Sequence, residues 1–458
     1  MKGNKLVIVR FAPSPTGRLH IGNLRTCVLN WMYSLRYNGK FILRFDDTDL
    51  NRSSEEYTNL IKHDIKWLGL TPDKICHQSQ YINEYKETMD HLISIGKIYP
   101  CYETQEELEI KRQMQLKKRM PPVYDREALK LTEEDKRRYI DQNRKPYWRF
   151  KLDNRRVTFN DGMAGNISID CSSLSDPVIM RKDGTFLYTL CSVIDDIREN
   201  ISHIIRGNDH STNTAIQIQL FQTLGHTPPD FFHHSLLLNE EGKPFSKRDM
   251  DINVCLFQDN EIEPTALVSF LASLGTPHAP VLSWQFSDIA EKFDPCEFSS
   301  SPVKCNTRDV QNISEKLIHI MPFSQVRNKI TELLADTDSN NQFYEQIWEA
   351  VHKNISHISD IKTWCLIFSG ELPAEYIAND HDEVHFIQEA LRTLPPLPWT
   401  KDTWCTWTAH MKQITSRKGR QLFIPLRKLL TGMTTGPEMF SLMPLYKKYS
   451  APVIILNE

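Results

Sequence analysis

The chain has 458 residues, more than one hydrophobic core can organise, so two to four domains are expected. Apolar residues are 40% and charged residues 25%, which excludes extended disorder; 55 Lys and Arg against 58 Asp and Glu leave a net charge of −3 and exclude an overall basic field. No apolar run approaches the ~20 residues of a membrane span, and MKGNKLVIVRF breaks its short apolar stretch at Arg10, so neither a membrane anchor nor a secretory leader is expected and the chain reads as cytoplasmic. Taken in chain order, Leu6 to Phe11 (LVIVRF) reads as a buried strand, followed by the loop APSPTGRLHIGN. Leu24, Cys27, Val28, Trp31 and Leu35 then recur at helical spacing, with Gly39 as terminator. Phe41 to Phe45 is a second strand running into Asp46-Asp47-Thr48-Asp49. A second helix starts near Ser53 with Glu56 closing a capping box, buries Leu60, Ile61, Ile65 and Leu68, and stops at Gly69. Strand, glycine loop, helix, strand, helix begins a doubly wound parallel sheet, whose ligands sit at the carboxyl ends of the strands.

The loop has the composition of a phosphate site. Gly17 and Gly22 permit close backbone approach, the helix start carries free N–H groups and positive partial charge, and His20 adds a donor without fixed charge. The ten cysteines are scattered without a CxxC pair, and Cys296 and Cys305 are the nearest two, so they read as buried small hydrophobes.

The segments VRFAPSPTGRLHIGNLRT, LRFDDTDLNRS, IIRGNDH and KPFSKRD occur in that order. Together they resemble bacterial glutamyl-tRNA synthetases, which are class I aminoacyl-tRNA synthetases. His20-Ile21-Gly22-Asn23, with Thr16 and Gly17 before it, looks like the HIGH motif of that class, and Pro244-Phe245-Ser246-Lys247-Arg248 looks like its KMSKS motif. The resemblance implies activation of L-glutamate by ATP, as its Mg2+ complex, to glutamyl-adenylate, followed by transfer to the 3′ end of tRNA-Glu, tRNA-Gln or both. It also implies an α/β plus all-α chain: a Rossmann-type catalytic domain with an acceptor-stem insertion, then a helical anticodon-binding region. A monomer is expected.

The same resemblance assigns roles. Lys247 and His20 would act on the phosphates. Arg10, Ala12, Ser14, Asp46, Tyr188, Ser192 and Arg206 would bind glutamate, with Arg10 and Tyr188 at the side-chain carboxylate, Arg206 at the main-chain carboxylate and Asp46 at the ammonium. His20, Gly22, Asn208, Leu237, Leu238 and Lys247 would bind ATP, the two leucines flanking adenine. Several positions depart from the family: Asp46 replaces a usual Glu, Pro244 the first Lys of KMSKS, Asn208 an acid, and Ser192 a longer polar residue.

Residues 1–86 and 188–239 are expected to form the two halves of the catalytic fold, with 87–187 the acceptor-stem insertion. Residues 240–321 would be the KMSKS-like loop and a helical stem-contact domain, and 322–458 a helical anticodon-binding region of two modules hinged at 393–400 (TLPPLPWT). Lys111, Arg112, Lys117, Lys118 and Arg119 form a stretch of five cations without an acid, a candidate tRNA-phosphate surface. Residues 401–458 hold nine Lys and Arg against three Asp and Glu, a basic surface suited to an anticodon stem. Some relatives carry zinc in the insertion, but Cys101 stands alone there until Cys171, so no zinc is expected. Three alternatives stay open. A glutaminyl-tRNA synthetase is opposed by FDDTD and the helical tail, and a cytidylyltransferase by KPFSKRD and that tail. A catalytically impaired paralogue kept as a tRNA-binding module would draw only on Pro244 and Asn208.

Overall fold

The computed structural model describes residues 6–49, 53–243, 252–335 and 341–457. The chain forms two compact units. One runs to Asn260 and resumes over Pro264–Thr307; the other takes Glu261–Glu263 and the chain from Arg308 onward. This division falls inside the 240–321 segment drawn from the sequence. No described helix is long and apolar enough to cross a membrane.

In the first unit, β1 (Ile8–Phe11), α1 (Ile21–Arg36), β2 (Lys40–Phe45), α2 (Glu55–Trp67) and β3 (Lys74–His77) build a parallel ladder ordered β1-β2-β3. KFILRF is buried at every position but its first, as expected of a strand covered on both faces. Helix α1 is buried almost all round, though Leu35 is 37% exposed and lies off the core face. The left-handed residue after α1 is Asn38 (φ 51), not Gly39. Gly39 is needed for closeness instead, since a Cβ there would come 2.4 Å from the Val7 carbonyl oxygen. Helix α2 is capped by Ser54, one residue later than expected. Its hydroxyl accepts from Tyr57 N–H, so Glu56 closes no capping box.

Helix α3 (Ile82–Ser94) leads to the insertion: β4 (Ile98–Cys101), α4 (Gln105–Lys117), α5 (Glu133–Asp141) and β5 (Tyr147–Phe150). Hairpin β6 (Arg156–Asp161) and β7 (Gly165–Asp170) follows, then β8 (Val178–Met180). Strands β4, β5 and β8 make the insertion's antiparallel sheet. The hairpin joins the catalytic sheet instead, in the order β7-β6-β10-β9, although it lies within residues 87–187. Helix α6 (Tyr188–Arg198), β9 (His203–Gly207), α7 (Ser211–Thr223) and β10 (Asp230–His234) complete this half. The two ladders meet at β1 and β9, where Ser202 N–H donates to the Ile8 carbonyl (2.9 Å) and Ile8 N–H to the Ser202 hydroxyl (2.7 Å). Strand order reverses between β1 and β9, which is where doubly wound sheets open a ligand crevice.

The second unit is helical, with Phe323–Leu333, Asn341–Val351, Ile361–Ser369, His381–Thr393, Thr403–Thr415 and Arg420–Thr431 around Trp348, Phe368 and Trp407. The proline-rich stretch does not separate two modules. Trp399 within it is 5% exposed and packs on Tyr446 and Tyr449, and the Trp407 indole N–H donates to the Thr393 hydroxyl (3.2 Å). Burial of this tryptophan knits the helices on either side together. The cysteines divide: Cys27, Cys76, Cys101, Cys171, Cys191 and Cys305 are buried, whereas Cys296 and Cys405 are exposed.

Candidate active site

A cleft of about 720 Å³ opens at the carboxyl ends of β1 and β9. Of the residues singled out from the sequence, Arg10, Ala12, Ser14, Thr16, Gly17, His20, Gly22, Asn23, Asp46, Tyr188, Arg206 and Leu237 line it. Four others do not. Ile21 is buried in the helix packing (1% exposed). Ser192 is fully buried behind the cleft, its hydroxyl accepting from the Gln217 amide (2.7 Å). Leu238 pairs with Lys304, so Leu236 and Leu237 supply the apolar wall. Asn208 starts a single 3₁₀ turn, and its neighbours Asp209 and His210 face the cleft instead. Residues 244–248, the KMSKS-like segment with Lys247, lie outside the described residues.

The start of α1 differs from an open phosphate cradle. Ile21 N–H donates to the Ile252 carbonyl (3.0 Å) and Leu24 N–H to the His20 carbonyl (3.0 Å). Gly22 and Asn23 N–H groups point at His20 Nδ1 (3.1 and 3.4 Å). The helix N–H groups are therefore satisfied within the protein. Because Nδ1 accepts, the imidazole proton sits on Nε2. Burial holds His20 below the usual histidine range, so it is neutral at pH 7. His20 thus caps the helix and presents one N–H of its own. Gly22 serves this arrangement, since a Cβ there would meet the His20 ring at 3.0 Å, whereas a Cβ on Gly17 would meet nothing within 4 Å. The Ile21–Ile252 bond also ties the chain just beyond the KMSKS-like segment to the HIGH-like helix.

Beside this end lies a buried ion network that sequence reading missed. Arg44, 1% exposed, donates to Asp46 (2.7 Å) and Asp196 (2.7 Å) and lies 3.6 Å from Asp195. Arg10 Nε pairs with Asp196 at 3.1 Å. Asp195 also accepts from Tyr85 (2.8 Å) and Gln78 (2.6 Å). Burial pushes the Asp46 carboxyl up to about 6, against the pull of Arg44. Of the four residues Asp46 to Asp49, Asp46 faces the cleft. Asp47 accepts from Ser79 and His77, Thr48 donates to the Phe186 carbonyl, and Asp49 pairs with Arg181. The signal available in the sequence was the acid pair in SVIDDIR, two carboxylates on an otherwise apolar helix face.

Arg206 is different in kind. It is 5% exposed, and its bonded partners are neutral: Tyr188 Oη (2.8 Å), Thr214 Oγ1 (2.6 Å), Gln217 Oε1 (2.8 Å) and His233 Nε2 (3.3 Å). Burial works against its charge. A cation held this way in a cleft lacks a counter-charge that a ligand carboxylate can supply.

In the insertion, Lys111 does not face outward as a phosphate contact. It pairs with Glu127 (2.6 Å) and Asp125 (3.0 Å). Arg112 pairs with Glu109 one turn away (3.3 Å), and Lys117, Lys118 and Arg119 are exposed at the end of α4. Among the described residues no cluster of three or more His, Cys, Asp or Glu side chains could hold a metal ion.

Residues 6–312 match the family of class I tRNA synthetases (E and Q), catalytic domain, and residues 286–448 match the anticodon binding domain. The chain is 43% identical over 450 residues to glutamate–tRNA ligase 1 of Chelativorans sp. (strain BNC1), covering 96% of this chain and 97% of that protein. It is 42% identical, with the same coverage, to glutamate–tRNA ligase 2 of Brucella melitensis biotype 1. Its fold is that of a glutamate tRNA ligase from Elizabethkingia meningosepticum solved in complex with its amino acid: TM-score 0.81, 23% identity, 96% and 97% of the two chains covered. By its matched domains, their order along the chain and its near full-length relatives, this protein belongs to the class I glutamate–tRNA ligases.

Proposed function

We propose that this chain activates L-glutamate with ATP and Mg2+ and transfers the glutamyl group to the 3′ end of tRNA-Glu, tRNA-Gln or both. The observation that carries the reading is the charge pattern of the cleft, where a buried arginine without a carboxylate partner shares the lining with an N–H-bearing, neutral histidine cap. Glutamate brings two carboxylates and one ammonium. Arg10 keeps its Nη edge for one carboxylate, since the bond to Asp196 uses Nε. Arg206 has one Nη1 hydrogen left, and Tyr188, already accepting from Arg206, has its own proton to give. Those two donors would converge on the other carboxylate, so Tyr188 would work with Arg206 rather than with Arg10. Asp46 would take the ammonium.

The carboxylate of glutamate then attacks the α-phosphate of ATP, and pyrophosphate leaves. Positioning and charge stabilisation account for most of such a step. His20 Nε2–H would donate to a phosphate oxygen, Lys247 would neutralise charge developing on the leaving pyrophosphate, and Leu236 and Leu237 would pack on adenine. Helix α4's exposed end and the basic stretch 401–458 would contact tRNA.

ATP–pyrophosphate exchange tests this directly. Glutamate with either tRNA-Glu or tRNA-Gln should support exchange and charging, and glutamine should not. Arg10→Gln and Arg206→Gln should each lower kcat/KM for glutamate by about ten- to a hundredfold, the worth of a charged hydrogen bond. The one that narrows the glutamate-to-glutamine ratio holds the side-chain carboxylate, expected for Arg10. Absence of glutamate-dependent exchange with every tRNA supplied would refute the activity and favour a tRNA-binding module.

A further inference from the structure

Behind Arg206 lies a hydrogen-bonded chain with no contact to the cleft. Asp161 ends β6 and His233 lies on β10, both fully buried in their side chains. His233 Nδ1 is 2.5 Å from Asp161 Oδ2. Asp161 Oδ1 is already occupied by the backbone N–H groups of His233 (3.0 Å), Met163 (3.0 Å) and Ala164 (2.9 Å). On its far side, His233 Nε2 faces Arg206 Nε at 3.3 Å and the Thr214 hydroxyl at 2.9 Å. The ring packs beside Phe159 and Phe231 and its side chain is fully buried, so it has no aqueous alternative.

We propose that His233, its tautomer set by Asp161, is a positioning residue that fixes the plane of Arg206 for a substrate carboxylate. This rests on the reading of Arg206 given above. Asp161 accepts at both oxygens, so His233 carries its proton on Nδ1 and offers the Nε2 lone pair, shared by Arg206 Nε–H and the Thr214 hydroxyl, which itself accepts from Arg206 Nη2. The bond orients the guanidinium while the acceptor stays neutral. A carboxylate in the same place would also orient Arg206, but it would cancel the charge the substrate needs. Asp161 supplies its polarity one ring further back, which leaves Arg206 uncompensated.

The test is a change of tautomer. In Asp161→Asn the amide oxygen must take the Oδ1 position, where three backbone N–H groups converge. The amide NH2 then faces His233 Nδ1, drives the proton to Nε2 and sets donor against donor at Arg206. Glutamine at 233 has no tautomers, and its amide oxygen reaches the place of Nε2. Pyrophosphate exchange with tRNA present should show glutamate KM raised about tenfold or more in Asp161→Asn, with ATP KM within twofold. His233→Gln should stay within about threefold of wild type, and adding Asp161→Asn to it should cost under twofold more. A similar rise in glutamate KM in both backgrounds, equal rises in glutamate and ATP KM, or a fall in melting temperature with glutamate KM unchanged would each overturn the proposal. Arg206→Gln separates the two layers. If it leaves glutamate KM unchanged, the cleft reading itself fails; if it raises KM and Asp161→Asn does not, only the positioning role fails.

Discussion

Arg44→Gln is expected to destabilise the catalytic unit far more than Arg206→Gln, although both remove a buried arginine. Arg44 is the hub for three acids, bonded to Asp46 and Asp196 at 2.7 Å and 3.6 Å from Asp195. Asp196 would keep Arg10 and Asp195 would keep Tyr85, Gln78 and Arg198, but Asp46 would lose its arginine. Leaving buried carboxylates uncompensated costs about 3–5 kcal/mol. At about 2–4 °C per kcal/mol for domains of 150–250 residues, the melting temperature should fall by roughly 6–20 °C. Arg206→Gln leaves no acid unpaired and removes a desolvated charge, so its loss should stay under about 2 kcal/mol. The pH dependence has a definite sign. A carboxylate whose folded pKa is raised adds stability at low pH and loses it as pH rises through that pKa. The deficit of Arg44→Gln should therefore narrow from pH 7.5 to pH 5.5. Thermal and urea unfolding of the purified variants at both pH values measure this. A melting temperature within 2–3 °C of wild type (roughly 1 kcal/mol), equal losses in the two variants, or a deficit that widens at pH 5.5 would refute the charge-hub argument.

Three further outcomes are expected. Lys247→Ala should reduce adenylate formation about a hundredfold, ~3 kcal/mol, with glutamate and tRNA binding retained; exchange within a few-fold of wild type would remove Lys247 from the reaction. Asp46 holds an ammonium only when ionised, and its pKa is pushed up to about 6 by burial, so glutamate KM should rise as pH falls from 7 to 5. Asp46→Asn should flatten that profile, and an identical profile in the variant would assign the titration elsewhere. Neutralising Lys117, Lys118 and Arg119 should weaken tRNA binding and reduce its salt slope by about 0.7–0.9 per lost contact, as read by filter binding across salt concentrations. Lys111→Ala should leave the slope unchanged, because Lys111 is already paired with Glu127 and Asp125.

The catalytic scaffold was legible in local patterns. Apolar runs in β1 and β2, the 3.6-residue period of α1 and the loop between them are properties of contiguous chain, and so are the ordered segments around His20, Asp46, Arg206 and Lys247. The acid pair Asp195-Asp196 was visible but not interpretable, because its meaning depends on Arg10 and Arg44, more than 150 residues away. Ser192 was misplaced for a related reason. Its position on α6 follows from spacing, but the direction it faces depends on Gln217 of α7.

What the sequence alone determined is the set of elements, the family and the cations and acids that meet a charged substrate. These rest on short-range periodicity and on residue types at motif positions. What only the tertiary structure decided is which charges neutralise one another. Lys111 is spent within the insertion, and Arg10 shares Asp196 with Arg44, whereas Arg206 is left among neutral acceptors. The α1 N-terminus likewise donates to His20 rather than remaining open. Compensation of charge and satisfaction of N–H groups act over a few ångströms in space and are indifferent to distance along the chain, so no local reading could have assigned them.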